Sequence, residues 1–132
     1  MKRVRVLLAE DVWAMCQQLG AILEQDCELL GTVSDGLALV RMARALRPDV
    51  LVTDISMPGI TGLQAVEQLL AQDYVPGVVF ITVHAEPQVV RHAQGLIPCG
   101  YVLKADAAED LVPAVRAAAA GKRYLSASLR AV

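Results

Sequence analysis

Five polar side chains stand just after apolar runs, where a single chemistry could use them all: Glu10 and Asp11, Asp54, Thr82 and Lys104. Asp54 closes the run Asp49-Val50-Leu51-Val52-Thr53-Asp54, bounded by Pro48 before it and Pro58-Gly59 after it. A short continuous apolar run between such breakers reads as a strand buried on both faces. If the strands are parallel, the five side chains meet at one rim, the carboxyl end of the sheet, where ligands bind in open α/β folds. Three carboxylates gathered there repel one another unless a cation sits among them. An all-oxygen donor set, without His or Cys, selects a hard ion that keeps part of its water shell, hence Mg²⁺. A hydroxyl and an ammonium beside a metal-bound carboxylate suit the transfer of a phosphoryl group. Lys104 and the metal would neutralise its oxygens, and Asp54 would be the nucleophile. Each residue also has a plainer reading: Asp11 as a helix N-cap, Lys104 as a solvated strand end, Thr82 as a β-former.

The elements that must position these groups follow from periodicity and breakers. Val4 to Ala9 is a strand, followed by a helix to about Gln25 whose buried face is Met15, Leu19, Ile22 and Leu23. Leu29 to Val33 is a second strand, and Ser34-Asp35-Gly36 turns into a helix ending near Leu46. Arg41, Arg44 and Arg47 form its solvated face. After the central strand, Thr61 and Gln64 have capping-box spacing and start a helix that continues to about Gln72. Val78 to Thr82 is the fourth strand, and Pro87 sits in the first turn of a short helix truncated by Gly95 and Pro98. Gly100 to Leu103 is the fifth strand, and Ala107 to Ala120 the last helix, closed by Gly121. Pro113 removes one hydrogen bond there and predicts a kink or a late start. Strands alternating with helices, without a hairpin signal, predict a parallel sheet covered on both faces. The expected organisation is one domain over residues 1–121, with 122–132 as a linker or C-terminal tail.

Composition narrows the function. The chain has 132 residues, 55% hydrophobic and 20% charged, which suits one globular domain. A net charge of −2 makes no electrostatic case for nucleic-acid binding. Cys16, Cys27 and Cys99 are odd in number and widely spaced, and read as small buried side chains in a reducing cytosol. His84 and His92 read as surface residues, His84 close enough to Thr82 to bear on water access. No apolar stretch is long enough to span a membrane, and Glu10 and Asp11 interrupt the N-terminal run too early for a signal peptide. The expectation is a cytoplasmic domain without membrane contact.

Glu10-Asp11, Asp54 with Met57-Pro58 and Gly62, Thr82, and Lys104 after Gly100-Tyr101-Val102-Leu103 together resemble the bacterial response-regulator receiver domains, over roughly residues 4–121. The segments Gly100 to Ala105 and Ala119 to Ser126 are similar to the NarL/LuxR subgroup. The resemblance implies a flavodoxin-like (βα)₅ fold, with a five-stranded parallel sheet of order 2-1-3-4-5 and helices on both faces. It implies that Asp54 accepts phosphate from a sensor histidine kinase. Asp11, Asp54 and the backbone carbonyl of Ser56 would bind Mg²⁺ directly, with Glu10 acting mainly through water. Lys104 would pair with Asp54 and then with the phosphate, Thr82 would move to the phosphoryl group, and Tyr101 would be its aromatic partner. The implied domain is no enzyme beyond its own phosphorylation and autodephosphorylation. It would control transcription through a helix-turn-helix domain absent from this chain, and reach DNA only through it.

Where many receivers have Pro after the lysine, this chain has Ala105. A cis non-proline bond costs about 2.5–4 kcal/mol, so a trans bond and a differently aimed Lys104 are expected. Trp13 lies off the apolar face of its helix and is expected half-exposed over the site. Ala114, Ala117, Ala118 and Gly121 offer a small-residue face on the last helix, either for a homodimer formed on phosphorylation or for packing on the sheet. Three other readings compete. An Asp-nucleophile phosphatase would carry Asp-x-Asp after the first strand, where this chain has Glu10-Asp11-Val12. A flavin-binding flavodoxin-like protein would want a Ser/Thr/Gly-rich phosphate loop there. An unphosphorylated docking receiver would not need the complete Asp, Lys and Thr set.

Overall fold

The structure, a computed structural model, describes residues 3–72, 74, 76–83 and 87–130. The elements are β1 (Arg5–Ala9), α1 (Trp13–Asp26), β2 (Glu28–Val33), α2 (Gly36–Leu46), β3 (Val50–Asp54), α3 (Gly62–Leu70), β4 (Gly77–Thr82), α4 (Pro87–Leu96) and β5 (Gly100–Leu103). A 3₁₀ turn (Lys104–Asp106), α5 (Ala107–Ala119), β6 (Tyr124–Leu125) and a second 3₁₀ turn (Ala127–Leu129) complete the chain. All strand pairs are parallel, in the order β2-β1-β3-β4-β5-β6.

The apolar strands divide their side chains between two layers. Leu7, Leu51, Phe80 and Tyr101 face α2, α3 and α4 with Leu39, Val66 and Leu69. Val6, Val52, Val79 and Val102 face α1 and α5 with Leu19, Leu23, Leu111 and Ala114. Every residue of β3 is buried, as its run of apolar residues requires. The order in which strands are added reverses between β1 and β3, and the crevice this opens at the carboxyl ends of the strands is where Asp54 stands.

Local chemistry fixes most element ends. Asp35 caps α2, accepting from the Ala38 amide at 2.8 Å. Thr61 and Gln64 form the expected capping box on α3, at 3.0 and 2.9 Å. Gly62, the next residue, packs so close to the end of β3 that a methyl group there would collide with the Asp54 carbonyl. Gly121 takes φ 74°, which ends α5 without the cost a side chain would add.

Several expectations are corrected. The sheet has six strands rather than five, because Tyr124–Leu125 pair with β5. The stretch read as a linker or tail is therefore packed as far as Arg130, with Ser126 and Leu129 buried. Two apolar residues are too short a run to show as a strand in sequence. Asp11 is not the cap of α1: Val12 takes that position, and its amide donates to Glu10 Oε2 at 3.0 Å. Pro113 causes no late start, since α5 begins at Ala107 and carries the proline on its exposed side. Ala114 and Ala118 are buried against the sheet, where Ala118 closes on Gly77 and Ala114 on Gly100. Ala114 and Ala118 therefore pack inward, while Ala117 is half-buried and Gly121 is exposed.

Candidate functional site

The carboxyl ends of β1, β3, β4 and β5 bring the expected residues to one rim. Glu10 follows β1, Asp54 ends β3, Thr82 ends β4, and Lys104 follows β5. Glu10, Asp54 and Thr82 are buried at 2%, 7% and 7% exposure, whereas Asp11 is exposed. Carboxylate oxygens of Glu10, Asp11 and Asp54 lie within 4.8 Å of one another. A cleft of about 530 Å³ opens beside them, lined by Asp54, Ser56, Thr82, Tyr101 and Lys104 among others.

Lys104 is the hub of the charges. Its ammonium donates to Asp54 Oδ2 at 2.8 Å and forms an ion pair with Glu10 Oε1. Burial would lower the affinity of that ammonium for its proton. The hydrogen bonds and negative charge of Asp54 and Glu10 outweigh burial and hold its pKa above the usual lysine value. No peptide bond among the described residues is cis, so Lys104–Ala105 is trans. The expectation that a trans bond would aim the lysine elsewhere is corrected: the 3₁₀ turn starting at Lys104 delivers the ammonium to both carboxylates.

Asp54 is held from two sides. Oδ1 accepts from the Ser56 amide at 3.0 Å, and Oδ2 from Lys104. Burial is the leading cause that raises the Glu10 carboxyl pKa, and the Lys104 and Val12 hydrogen bonds oppose it only in part. Glu10 Oε1 is paired with the Lys104 ammonium, and Oε2 accepts from the Val12 amide at 3.0 Å. With all three carboxylates ionised, the rim holds three negative charges against one ammonium. The unmet negative charge and the all-oxygen donor set of Glu10, Asp11 and Asp54 fit a hard divalent cation.

The outlying expectations divide. Tyr101 is buried beneath the cleft, its ring centroid 6.3 Å from that of Phe80. Trp13 is 75% exposed, further out than half, because it opens α1 on the side away from the sheet. His92 is exposed and lies 3.8 Å from Glu67, while His84 falls outside the described residues. Cys27 and Cys99 are buried and Cys16 is half-buried, and burial pushes the Cys99 thiol up to about 11. Sequence reasoning missed the apolar wall of the cleft, Ile55, Leu63, Val83 and Val89. Nothing in those side chains sets them apart in sequence from core residues.

Comparison with known proteins places this architecture. The profile of the response regulator receiver domain matches residues 6–116, and the chain belongs to that family, the phosphoacceptor domains of two-component systems. It is 34% identical to the transcriptional regulatory protein DesR of Bacillus subtilis (strain 168) over 128 residues, covering 96% of this chain and 63% of that protein. It is 32% identical to LiaR of the same organism, covering 96% and 61%. The chain thus spans less than two thirds of the curated relatives it matches. The non-phosphorylated receiver domain of RcsB from Escherichia coli superposes with a TM-score of 0.84 at 27% identity, covering 94% of this chain and 98% of that one. A LuxR-family response regulator from Aurantimonas sp. SI85-9A1 shares the fold at a TM-score of 0.91 and 23% identity, covering 98% and 94%. No helix among the described residues is long and apolar enough to cross a membrane.

Proposed function

We propose that Asp54 is the phosphoacceptor of this receiver and that a sensor histidine kinase is its donor. One Asp54 oxygen forms a bond to phosphorus as the bond from phosphorus to the donor imidazole breaks. The imidazole leaves with the bonding electrons and takes a proton from solvent. Lys104 moves its charge from the carboxylates to the phosphoryl oxygens, and Thr82, on the same cleft wall, donates its hydroxyl to one of them. Tyr101, beneath that wall, follows Thr82. Mg²⁺ held by Asp11, Asp54 and the Ser56 carbonyl, with Glu10 acting mainly through water, would supply the remaining positive charge. The observation that carries the reading is the 2.8 Å contact of Lys104 with Asp54 inside a ring of three carboxylates.

The relatives' names support an output in transcription, reached through a DNA-binding domain outside these 132 residues. Phosphorylation then controls that output from the cytoplasm. The test is intact mass after incubation with a small acyl phosphate and Mg²⁺. The parent chain should gain the mass of one phosphoryl group, and Asp54→Asn should gain none. A gain in Asp54→Asn would assign the acceptor elsewhere, and no gain in the parent would favour an unphosphorylated docking module.

A further inference from the structure

The segment from Tyr124 to Arg130 is tied to the element that carries Tyr101 and Lys104. The Tyr124 amide donates to the Cys99 carbonyl at 3.3 Å, and the Ser126 amide to the Tyr101 carbonyl at 3.0 Å. In return, the Leu103 amide donates to Ser126 Oγ at 3.1 Å. Leu103 is the residue before Lys104, and Ser126 is fully buried. Two carboxylates on the other side of the site lysine complete the attachment. Asp110 accepts from the Tyr124 hydroxyl at 2.6 Å and the Ala127 amide at 3.0 Å. Asp106 accepts from the Ser128 hydroxyl at 2.9 Å and the Ser128 amide at 3.1 Å. Asp106 ends the same three-residue turn that Lys104 begins. The attachment thus brackets Lys104 from both sides in sequence, at Leu103 one residue before it and Asp106 two residues after it.

We propose that Tyr124–Arg130 is a strap whose docking is coupled to the Asp54 site, so that a phosphoryl group on Asp54 loosens it. This rests on the proposed role of Asp54. The strap is docked in the arrangement in which Lys104 lies between Glu10 and Asp54. A phosphoryl group re-aims Lys104, and the turn it begins cannot shift without moving Asp106 and the Leu103 amide. Coupling between two sites is reciprocal: if phosphate weakens the strap, weakening the strap must favour the phosphate-bound form by the same factor. Phosphate at the rim would thereby free the Tyr124–Arg130 segment from the edge of β5.

The experiment measures amide hydrogen exchange and binding of beryllofluoride, a phosphoryl mimic, in the presence of Mg²⁺. Exchange at Ser126, Ala127 and Ser128 should quicken at least about fivefold on binding, the low end of usual coupling. Ser126→Ala should bind the mimic more tightly by a similar factor. Ser128→Ala, a milder change at an exposed position, should shift both readings the same way if Ser126→Ala folds poorly. A purely structural strap would change thermal stability in these variants without changing mimic affinity. Unchanged or slower exchange at the three amides, with the mimic bound, overturns the coupling while leaving the acceptor role of Asp54 intact. Failure of the parent to bind the mimic, with Asp54→Asn indistinguishable from it, overturns both.

Discussion

Asp11 and Lys104 do opposite work in the same ring of charges. Asp11 is exposed, and its carboxylate adds negative charge without supporting the core. A cation that binds only the native state raises the melting temperature by mass action. Millimolar Mg²⁺ should therefore stabilise the parent chain in thermal melts, and Asp11→Ala should lose most of the rise while keeping the parent's metal-free stability or exceeding it. Lys104 is buried between two buried carboxylates. Breaking a buried pair by removing one partner costs up to about 3–5 kcal/mol, because the other charge is stranded. Lys104→Met should lower metal-free stability in urea titrations by an amount approaching that range. Protonation of Glu10, already favoured by burial, moderates the loss, and Mg²⁺ should recover part of it. An Lys104→Met variant as stable as the parent without metal would mean that the ammonium is not needed to offset the carboxylates.

At the scale of elements, α5 is more than a cover for one face of the sheet. Its first turns present Asp110 to the strap, and the Tyr124 hydroxyl answers at 2.6 Å. Burial raises the Tyr124 pKa above the ordinary 10.0, and the Asp110 hydrogen bond and charge add to it. The native state therefore resists ionisation of this phenol. The corresponding stability is fully present below the unfolded value near 10 and is lost as pH rises through the native one. Alkaline titration of phenolate absorbance should find Tyr124 ionising later than a free tyrosine. Asp110→Asn, which keeps an acceptor but removes the charge, should bring that midpoint down. A midpoint unmoved by Asp110→Asn would remove the carboxylate from the account of how α5 holds the strap.

For the molecule as a whole, the inward packing of α5 decides what its alanines are for. Ala114 is fully buried, and a methyl group added at Gly100 would come within 3.5 Å of its Cβ. Ala114→Leu inserts volume between helix and sheet and should cost about 1–3 kcal/mol. Light scattering of the same variant should show an unchanged mass under native conditions. A variant as stable as the parent but altered in mass would return this face to the surface and reopen it as a contact between chains.

Periodicity, breakers and caps made the alternation of strands and helices legible, because a buried parallel strand needs a continuous apolar run and a helix needs its caps. Asp54, Glu10, Asp11, Thr82 and Lys104 were legible for a related reason: in a parallel α/β sheet, whatever follows a strand arrives at the same rim. Met57-Pro58 and Gly62 were legible as a pattern, though the reason for Gly62, its approach to the Asp54 carbonyl, needed coordinates. Three things were decided only by the tertiary structure. Lys104 reaches two carboxylates across a trans bond, because aim depends on the path of a whole turn and not on the one residue after it. Tyr124 and Leu125 form a sixth strand because β5 has an open edge to satisfy, and an open edge is invisible in two residues of sequence. Ala114 and Ala118 face the sheet rather than a partner, because small side chains serve either close approach equally well, and only the position of Gly77 and Gly100 across the layer selects between them.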